Sequence, residues 1–304
     1  MINKLAIDTA IEKSQNTNQT TCQKPIFIVG APRSGTTWLG EAMKRHPELH
    51  MLHEISNIWM WNNANKSDDV LTEDDLDRRI KKYIRKKFVN YQQESGKNRI
   101  CDKTPRNCLR IAAIKAIFPD AKIIMLLRDG RSVINSTKQE LNRPQEVPWQ
   151  EIIARLGSVS IWEWYVFLPR LKSRLKRMLG VPLDYWGARP PGWQDWVGKF
   201  PPHIILAKQW VATMETAIAQ GRQLDSENYL EISYEEIISE PLVGLQKIAD
   251  FTELELEPLI DYAVGTADPS RINKWQDNID RDILNDLEAI MKPTMSKLGY
   301  RWDI

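Results

Sequence analysis

The sequence predicts an α/β fold, a central parallel sheet flanked by helices in three layers. Two observations carry that expectation: short β-branched apolar runs that end in turns, and helix-period segments that follow them. Ile26–Val29 follows Pro25, is apolar throughout and ends in Gly30, the pattern of a strand buried on both faces. The turn APRSGTTW comes next, and Thr37 to Arg45 reads as a helix. A second unit runs through a helical stretch from Asn107 to Phe118, a Pro119-Asp120 turn and the strand Lys122–Leu127 (KIIMLL). That strand ends at Arg128-Asp129-Gly130, and a helix follows through Ser136. A third strand is expected at Tyr229–Ile232, with later helices near Leu242–Phe251, Leu256–Val264 and Asp282–Leu298. Thr72 to Tyr91 predicts an amphipathic helix, acidic at its start and basic beyond, with Leu76, Ile80, Tyr83, Ile84 and Phe88 on one face.

Length and composition bound the possibilities. The chain of 304 residues, 42% hydrophobic and 27% charged, has the usage of an ordinary globular protein. A loose polar tail is expected over residues 1–24, then one domain over 25–304. No apolar run approaches the ~20 residues that span a bilayer, and the first residues hold no signal-peptide core. A cytoplasmic setting is therefore the expectation, and three cysteines without metal-ligand spacing agree with it. The four histidines form no ligand cluster, so no metal is expected, and a net charge of +2 gives no bulk case for nucleic-acid binding. Twelve tryptophans are unusual, and seven lie between Trp149 and Trp210. They mark a Trp-rich insertion or lid at about 141–202, whose Pro/Gly-rich part holds Trp186, Trp193 and Trp196. Aromatic rings there suit an acceptor-binding lid, whereas Trp162, Trp164 and Trp210, in helical patterns, suit a core.

The chemistry starts at Gly30. Gly30-Ala-Pro-Arg-Ser-Gly35-Thr-Thr37, between a strand and a helix, has the spacing of a P-loop and implies a P-loop NTPase-like fold. Glycines let the backbone approach an anion, successive N–H groups form a nest, and the helix N-terminus adds partial positive charge. A nucleotide triphosphatase would carry Lys after Gly35, where Thr36 stands; the cation is Arg33, inside the loop. The apolar run 122–127 ends in Arg128 and supplies no carboxylate for Mg²⁺. Such a loop fits a donor with fewer negative charges than ATP, such as a phosphosulfate.

These residues resemble the sulfotransferases that use 3′-phosphoadenosine 5′-phosphosulfate (PAPS). PRSGTTWL at 32–39 is similar to their 5′-phosphosulfate loop, in the Arg form of the tyrosylprotein, carbohydrate and several bacterial enzymes. IIMLLRDGRSVINS at 123–136 resembles their 3′-phosphate motif, which makes Arg128 and Ser136 the phosphate clamp. An Arg fork suits bidentate phosphate contact, and the helix after it returns Ser136 toward the same anion. EISYEEIISEP at 231–241, PSRINKW at 269–275 and Leu298-Gly299-Tyr300 follow in the family's order.

The resemblance implies PAPS as co-substrate, a hydroxyl acceptor (glycan, glycolipid, peptide tyrosine or small molecule) and release of adenosine 3′,5′-bisphosphate. It places Arg33, Ser34, Gly35, Thr36, Thr37, Trp38, Arg128, Ser136, Tyr234, Arg271 and Lys274 around the nucleotide. Asn273 and Trp275 are weaker candidates, and Arg131 reads as a helix-surface residue. Glu54, twenty-one residues beyond Arg33, matches the base of the tyrosylprotein branch, and Lys103 in CDKTP matches a Lys that holds the sulfuryl group. His53 is the alternative base, and Arg106 the alternative cation. Two other functions compete: a nucleotide or adenylylsulfate kinase, and an inactive nucleotide-binding scaffold.

Overall fold

The computed structural model of the chain describes residues 22–63, 65–141 and 187–303. Trp149, Trp162, Trp164 and Trp186, like the polar tail before Cys22, lie outside them. The first half of the chain runs β1 (Ile26–Val29), α1 (Thr36–Met43), β2 (Leu49–His53), α2 (Ser56–Trp59), α3 (Arg78–Ser95), β3 (Arg99–Lys103), α4 (Ile111–Ile117), β4 (Lys122–Leu127) and α5 (Gly130–Leu141). After the undescribed stretch come α6 (Pro202–Gly221), β5 (Tyr229–Ser233), α7 (Tyr234–Ser239), α8 (Pro241–Thr252), α9 (Glu257–Thr266), α10 (Trp275–Asn278) and α11 (Arg281–Lys297).

The five strands form one parallel sheet in the order β2-β3-β1-β4-β5. Period-two alternation sends successive side chains to opposite faces, so each inner strand feeds two cores. Phe27, Val29, Ile100, Ile123 and Met125 join one core with residues of α3, α4, α6 and α11. Ile26, Ile28, Cys101, Ile124 and Leu126 join the other with α1, α7, α8 and α9. The expected three-layer α/β fold is what the chain adopts. Because all strands are parallel, Val29, His53, Lys103, Leu127 and Ser233 end at one edge, where open α/β sheets bind ligands.

Local expectations shift at three places. Leu49–His53 and Arg99–Lys103 are sheet strands, although neither has the unbroken apolar run of an interior strand. The amphipathic helix starts later than Thr72: Asp77 caps it by accepting from Ile80 N at 2.7 Å. The acidic residues before it belong to a separate 3₁₀ turn, Glu73–Asp75, closed by Thr72 and Asp75 in a capping box. Its inward face is Ile80, Ile84 and Phe88, as the 3.6-residue period predicts. Trp210 is core, 3% exposed.

One buried carboxylate fixes the loops beside the sheet edge. Asp69, 1% exposed, accepts from Arg189 N at 2.9 Å and Arg189 Nη2 at 2.8 Å, and pairs with Arg110 at 3.7 Å. Burial pushes its carboxyl up, but Arg110, Arg106 and Arg189 outweigh that and hold it at about 2. Trp193 and Gln194, from the Pro/Gly-rich stretch, both donate to the Ser67 carbonyl and dock the same loop. Asp69→Ala should strand the guanidiniums and cost about 3–5 kcal/mol, read as a fall in denaturant midpoint. A depressed carboxyl stabilises above its unfolded pKa, so this contribution should vanish as pH falls from the ordinary value of 3.8 through about 2.

Candidate active site

Between β1 and α1 the chain must turn within Gly30–Gly35 without closing off its N–H groups. Arg33 (φ 75°) and Gly35 (φ 95°) are left-handed around Ser34, a geometry that makes an anion-accepting concavity of backbone amides. Ser34 closes the turn through its N–H and its hydroxyl, both donated to the Ala31 carbonyl, at 3.0 and 2.7 Å. Gly30 N donates to the Pro105 carbonyl at 3.3 Å and ties the loop to the residues after β3. A Cβ at Gly35 would lie 2.3 Å from the Tyr234 ring, so position 35 needs glycine for contact as well as for φ. Thr36 is buried and Thr37 exposed, each in the first turn of α1. Trp38 Nε1 donates to Thr266 Oγ1 at 3.0 Å and fixes α1 against α9.

The clamp at the end of β4 is built onto this loop. Arg128 Nη1 donates to the Arg33 carbonyl at 2.9 Å, and its guanidinium lies 4.3 Å from the centre of the Tyr234 ring. Its Nε is buried without a hydrogen-bond partner, a charged donor still to be matched. Burial lowers its pKa from the ordinary guanidinium value, with Tyr234 and Glu235 opposing. Arg33 Nε donates to Ser136 Oγ at 3.2 Å, and its Nη2 lies 3.6 Å from Glu140. Arg33, Arg128, Ser136 and Tyr234 therefore form one connected group.

The late basic segment arrives differently. Arg271 offers Arg128 its carbonyl at 3.4 Å, while its side chain bonds Asp268 at 3.0 Å. Asn273 and Lys274 are exposed, and Lys274 makes no ion pair among the described residues. Trp275 is buried as packing: the Arg131 guanidinium lies 3.9 Å from its ring centre. Arg131 is a correction to the helix-surface expectation, being 5% exposed. It bonds Asp129 at 2.7 Å and the carbonyls of Arg301 and Asp303, stapling the C-terminal residues to the start of α5.

At the other end of the sheet edge stand Glu54 and Lys103. Glu54 leaves the strand with φ 52° while its N–H donates to the Lys103 carbonyl at 3.0 Å. Its carboxylate meets Lys103 Nζ at 3.2 Å, and the same ammonium lies 3.5 Å from Thr37 Oγ1. The Lys103 side chain is 5% exposed and that of Glu54 61%, so a buried cation faces an accessible base. Gly40 makes the path: a Cβ there would press on Lys103 Cγ at 3.2 Å. His53 is exposed and makes no such contact; desolvation, then Lys103, lowers its pKa. Arg106 faces Asp69 at 3.9 Å. Glu140 and Gly40 do not stand out in the motifs, yet both leave signals: Glu140 lies one turn beyond Ser136, and Gly40 interrupts a helix against propensity.

A left-handed loop, a second arginine bonded to it and a lysine–glutamate pair thus stand together at one edge of a parallel sheet. The Sulfotransferase family matches residues 25–185, more than half of the chain, and the chain belongs to that family. Protein-tyrosine sulfotransferase A of Caenorhabditis elegans is 21% identical over 90% of this chain and 67% of its own length. Human protein-tyrosine sulfotransferase 1 is 22% identical over 90% of this chain and 69% of its own. Among solved structures, the sulfotransferase domain of the curacin biosynthetic pathway shares the fold, with a TM-score of 0.57 at 17% identity, covering 93% of this chain and all of that one. The Synechococcus PCC 7002 olefin synthase sulfotransferase domain gives a TM-score of 0.50 at 16% identity, over 90% of this chain and 96% of that one.

Two substitutions test the geometry. Gly35→Ala should abolish nucleotide binding measured by calorimetry, because the ring of Tyr234 and the positive φ both oppose a Cβ. Arg128→Ala should weaken binding of adenosine 3′,5′-bisphosphate at least ~10-fold, the scale of a lost charged hydrogen bond, with a smaller loss for adenosine 5′-monophosphate.

Proposed function

We propose that the protein transfers a sulfuryl group from PAPS to a hydroxyl acceptor and releases adenosine 3′,5′-bisphosphate. The observation that carries this reading is the Lys103–Glu54–Thr37 cluster set beside the loop of Gly30–Thr37. The loop amides and Arg33 suit the 5′-phosphosulfate, while Arg128 and Ser136 suit the 3′-phosphate that distinguishes this donor. The unmatched Nε of Arg128 supports the second assignment.

The chemistry needs an acceptor made nucleophilic and a leaving group made stable. The acceptor oxygen attacks sulfur as its proton passes to a Glu54 carboxylate oxygen. The bond from sulfur to the bridging phosphate oxygen breaks, and its electron pair stays on the 5′-phosphate. Charge growing on that phosphate meets Arg33 and the loop N–H groups, while Lys103 faces the sulfuryl oxygens. Lys103 also holds Glu54 in place at 3.2 Å before the acceptor arrives.

A tyrosyl hydroxyl is the acceptor favoured here, because relatives named protein-tyrosine sulfotransferases align over 90% of the chain. Trp193 and Trp196, half-buried in the stretch docked on Ser67, suit the rim of an acceptor site. Radiolabelled sulfate should pass from PAPS to tyrosine-containing peptides with chelator present. Glu54→Gln should lower turnover ~10²–10⁴-fold while leaving PAPS affinity unchanged. Transfer to glycans or small phenols in preference to peptides would replace the acceptor and leave the donor assignment standing; metal-dependent ATP turnover without sulfuryl transfer would overturn both.

A further inference from the structure

Directly behind the Glu54–Lys103 pair lies a carboxylate that the reaction does not touch. Asp102 precedes Lys103 on β3 and, by strand alternation, faces the opposite side of the sheet. It is fully buried. Its Oδ1 accepts from Thr104 Oγ1 at 2.6 Å, and its Oδ2 accepts from Asn107 Nδ2 at 2.9 Å and Trp59 Nε1 at 3.3 Å. The three donors come from two different connections. Trp59 ends α2, the helix entered two residues after Glu54, and is wedged edge-on against Phe27 and Phe88. Thr104 and Asn107 bracket Pro105, whose carbonyl receives the Gly30 N–H. One carboxylate therefore links the chain after β2, the chain after β3 and, through Pro105, the first residue of the anion loop.

We propose that Asp102 is a positioning residue for sulfuryl transfer: it holds the segments carrying Glu54, Lys103 and Gly30 in mutual register, acting through them without touching substrate. The inference rests on the transferase reading above. It is distinct from a generic buried hydrogen bond because the ionised carboxylate accepts from all three donors at once, whereas a proton on it must displace one of them. The Trp59 indole donates only. Asn107 cannot turn its amide, since its Oδ1 is already accepting from Arg110 Nη1 at 3.1 Å. A proton on Oδ2 would meet two donors, and a proton on Oδ1 would force the Thr104 hydroxyl to reverse.

Burial nevertheless pushes this carboxyl up to about 7, against the pull of Thr104, Trp59, Arg110 and Lys103. Arg110 and Lys103 are the charged groups that face it, and the buried Cys101 thiol, itself raised by burial and then by Asp102, is the other titratable neighbour. The sign follows from linkage. Between the unfolded value of 3.8 and about 7 the folded protein holds a proton that the unfolded chain does not. Stability therefore falls as pH rises through that window and is constant above it. On this proposal the working arrangement, with the carboxylate accepting from all three donors, lies on the ionised side of that window.

The test is the pH profile of kcat for PAPS-dependent transfer, with nucleotide affinity measured alongside. In Asp102→Asn the amide oxygen can replace Oδ2 and the amide N–H can donate to Thr104, so the fold is retained and the titration removed. The wild-type protein should lose kcat as pH falls through about 7. Asp102→Asn should lack that limb and run at a plateau on the order of tenfold lower, with unchanged affinity for adenosine 3′,5′-bisphosphate, as a misplaced reacting group predicts. Thr104→Val removes one donor to the carboxylate and should move the limb to higher pH; it serves where Asp102→Asn fails to fold. An Asp102→Asn variant with the wild-type kcat and pH profile, or a Thr104→Val variant whose limb does not move, overturns the inference alone. Absence of transfer by the wild-type protein removes the transferase reading and the inference with it.

Discussion

A strand buried on both faces must pass its chain to a helix within Gly30–Gly35 and still leave backbone N–H groups facing outward. That constraint governs the rest of the sheet edge. Arg33, a non-glycine residue, is left-handed there, a conformation that costs on the order of 1–3 kcal/mol and persists only when its surroundings impose it. The surroundings are identifiable. Arg128 grips the Arg33 carbonyl, Tyr234 fills the space beside Gly35, Ser34 closes the turn on Ala31, and Pro105 receives the Gly30 N–H. Residues just beyond the ends of β3 and β4 and at the start of α7 thus converge on the short loop that follows β1.

Charge is distributed so that the site is paired in its present state and suited to an anion. Arg33 faces Glu140 at 3.6 Å and Lys103 faces Glu54 at 3.2 Å, so two cations have accessible carboxylate partners. An incoming phosphosulfate offers Arg33 a better match than Glu140, since the pair with Glu140 is long and partly exposed and contributes little in water. Arg128 has no carboxylate ion pair among the described residues, and its guanidinium lies over the Tyr234 ring with the Nε buried and without a hydrogen-bond partner. The division follows the proposed chemistry: fixed positive charge where phosphate sits, and a lysine–carboxylate pair where a proton must move.

Much of this architecture is legible in the amino-acid sequence. The apolar runs 26–29 and 122–127 mark two inner strands because burial on both faces leaves an unbroken hydrophobic signature. The loop, Arg128 and Ser136 stand out in the sequence by the glycine and guanidinium spacing that a phosphate site would require, and the structure brings them together through Arg33. Leu49–His53 and Arg99–Lys103 are harder, since an edge strand, and a strand whose end bears Asp102 and Lys103, carry mixed polarity. Arg131 reads wrongly as a surface residue because helix periodicity does not reveal that Trp275, Trp302 and the C-terminal carbonyls converge on it from far along the chain. For Arg271 the sequence locates the segment but not the side chain, which turns to the Asp268 cap.

On the proposed function, this edge of the sheet receives a nucleotide carrying both a 5′- and a 3′-anionic group. Calorimetric titration of the full chain in chelator with adenosine 3′,5′-bisphosphate, adenosine 5′-diphosphate and ATP tests it most directly. The 3′,5′-bisphosphate should bind tightest, and added Mg²⁺ should not reverse the order. Tighter binding of Mg²⁺–ATP, with the 3′-phosphate conferring no advantage, would contradict it.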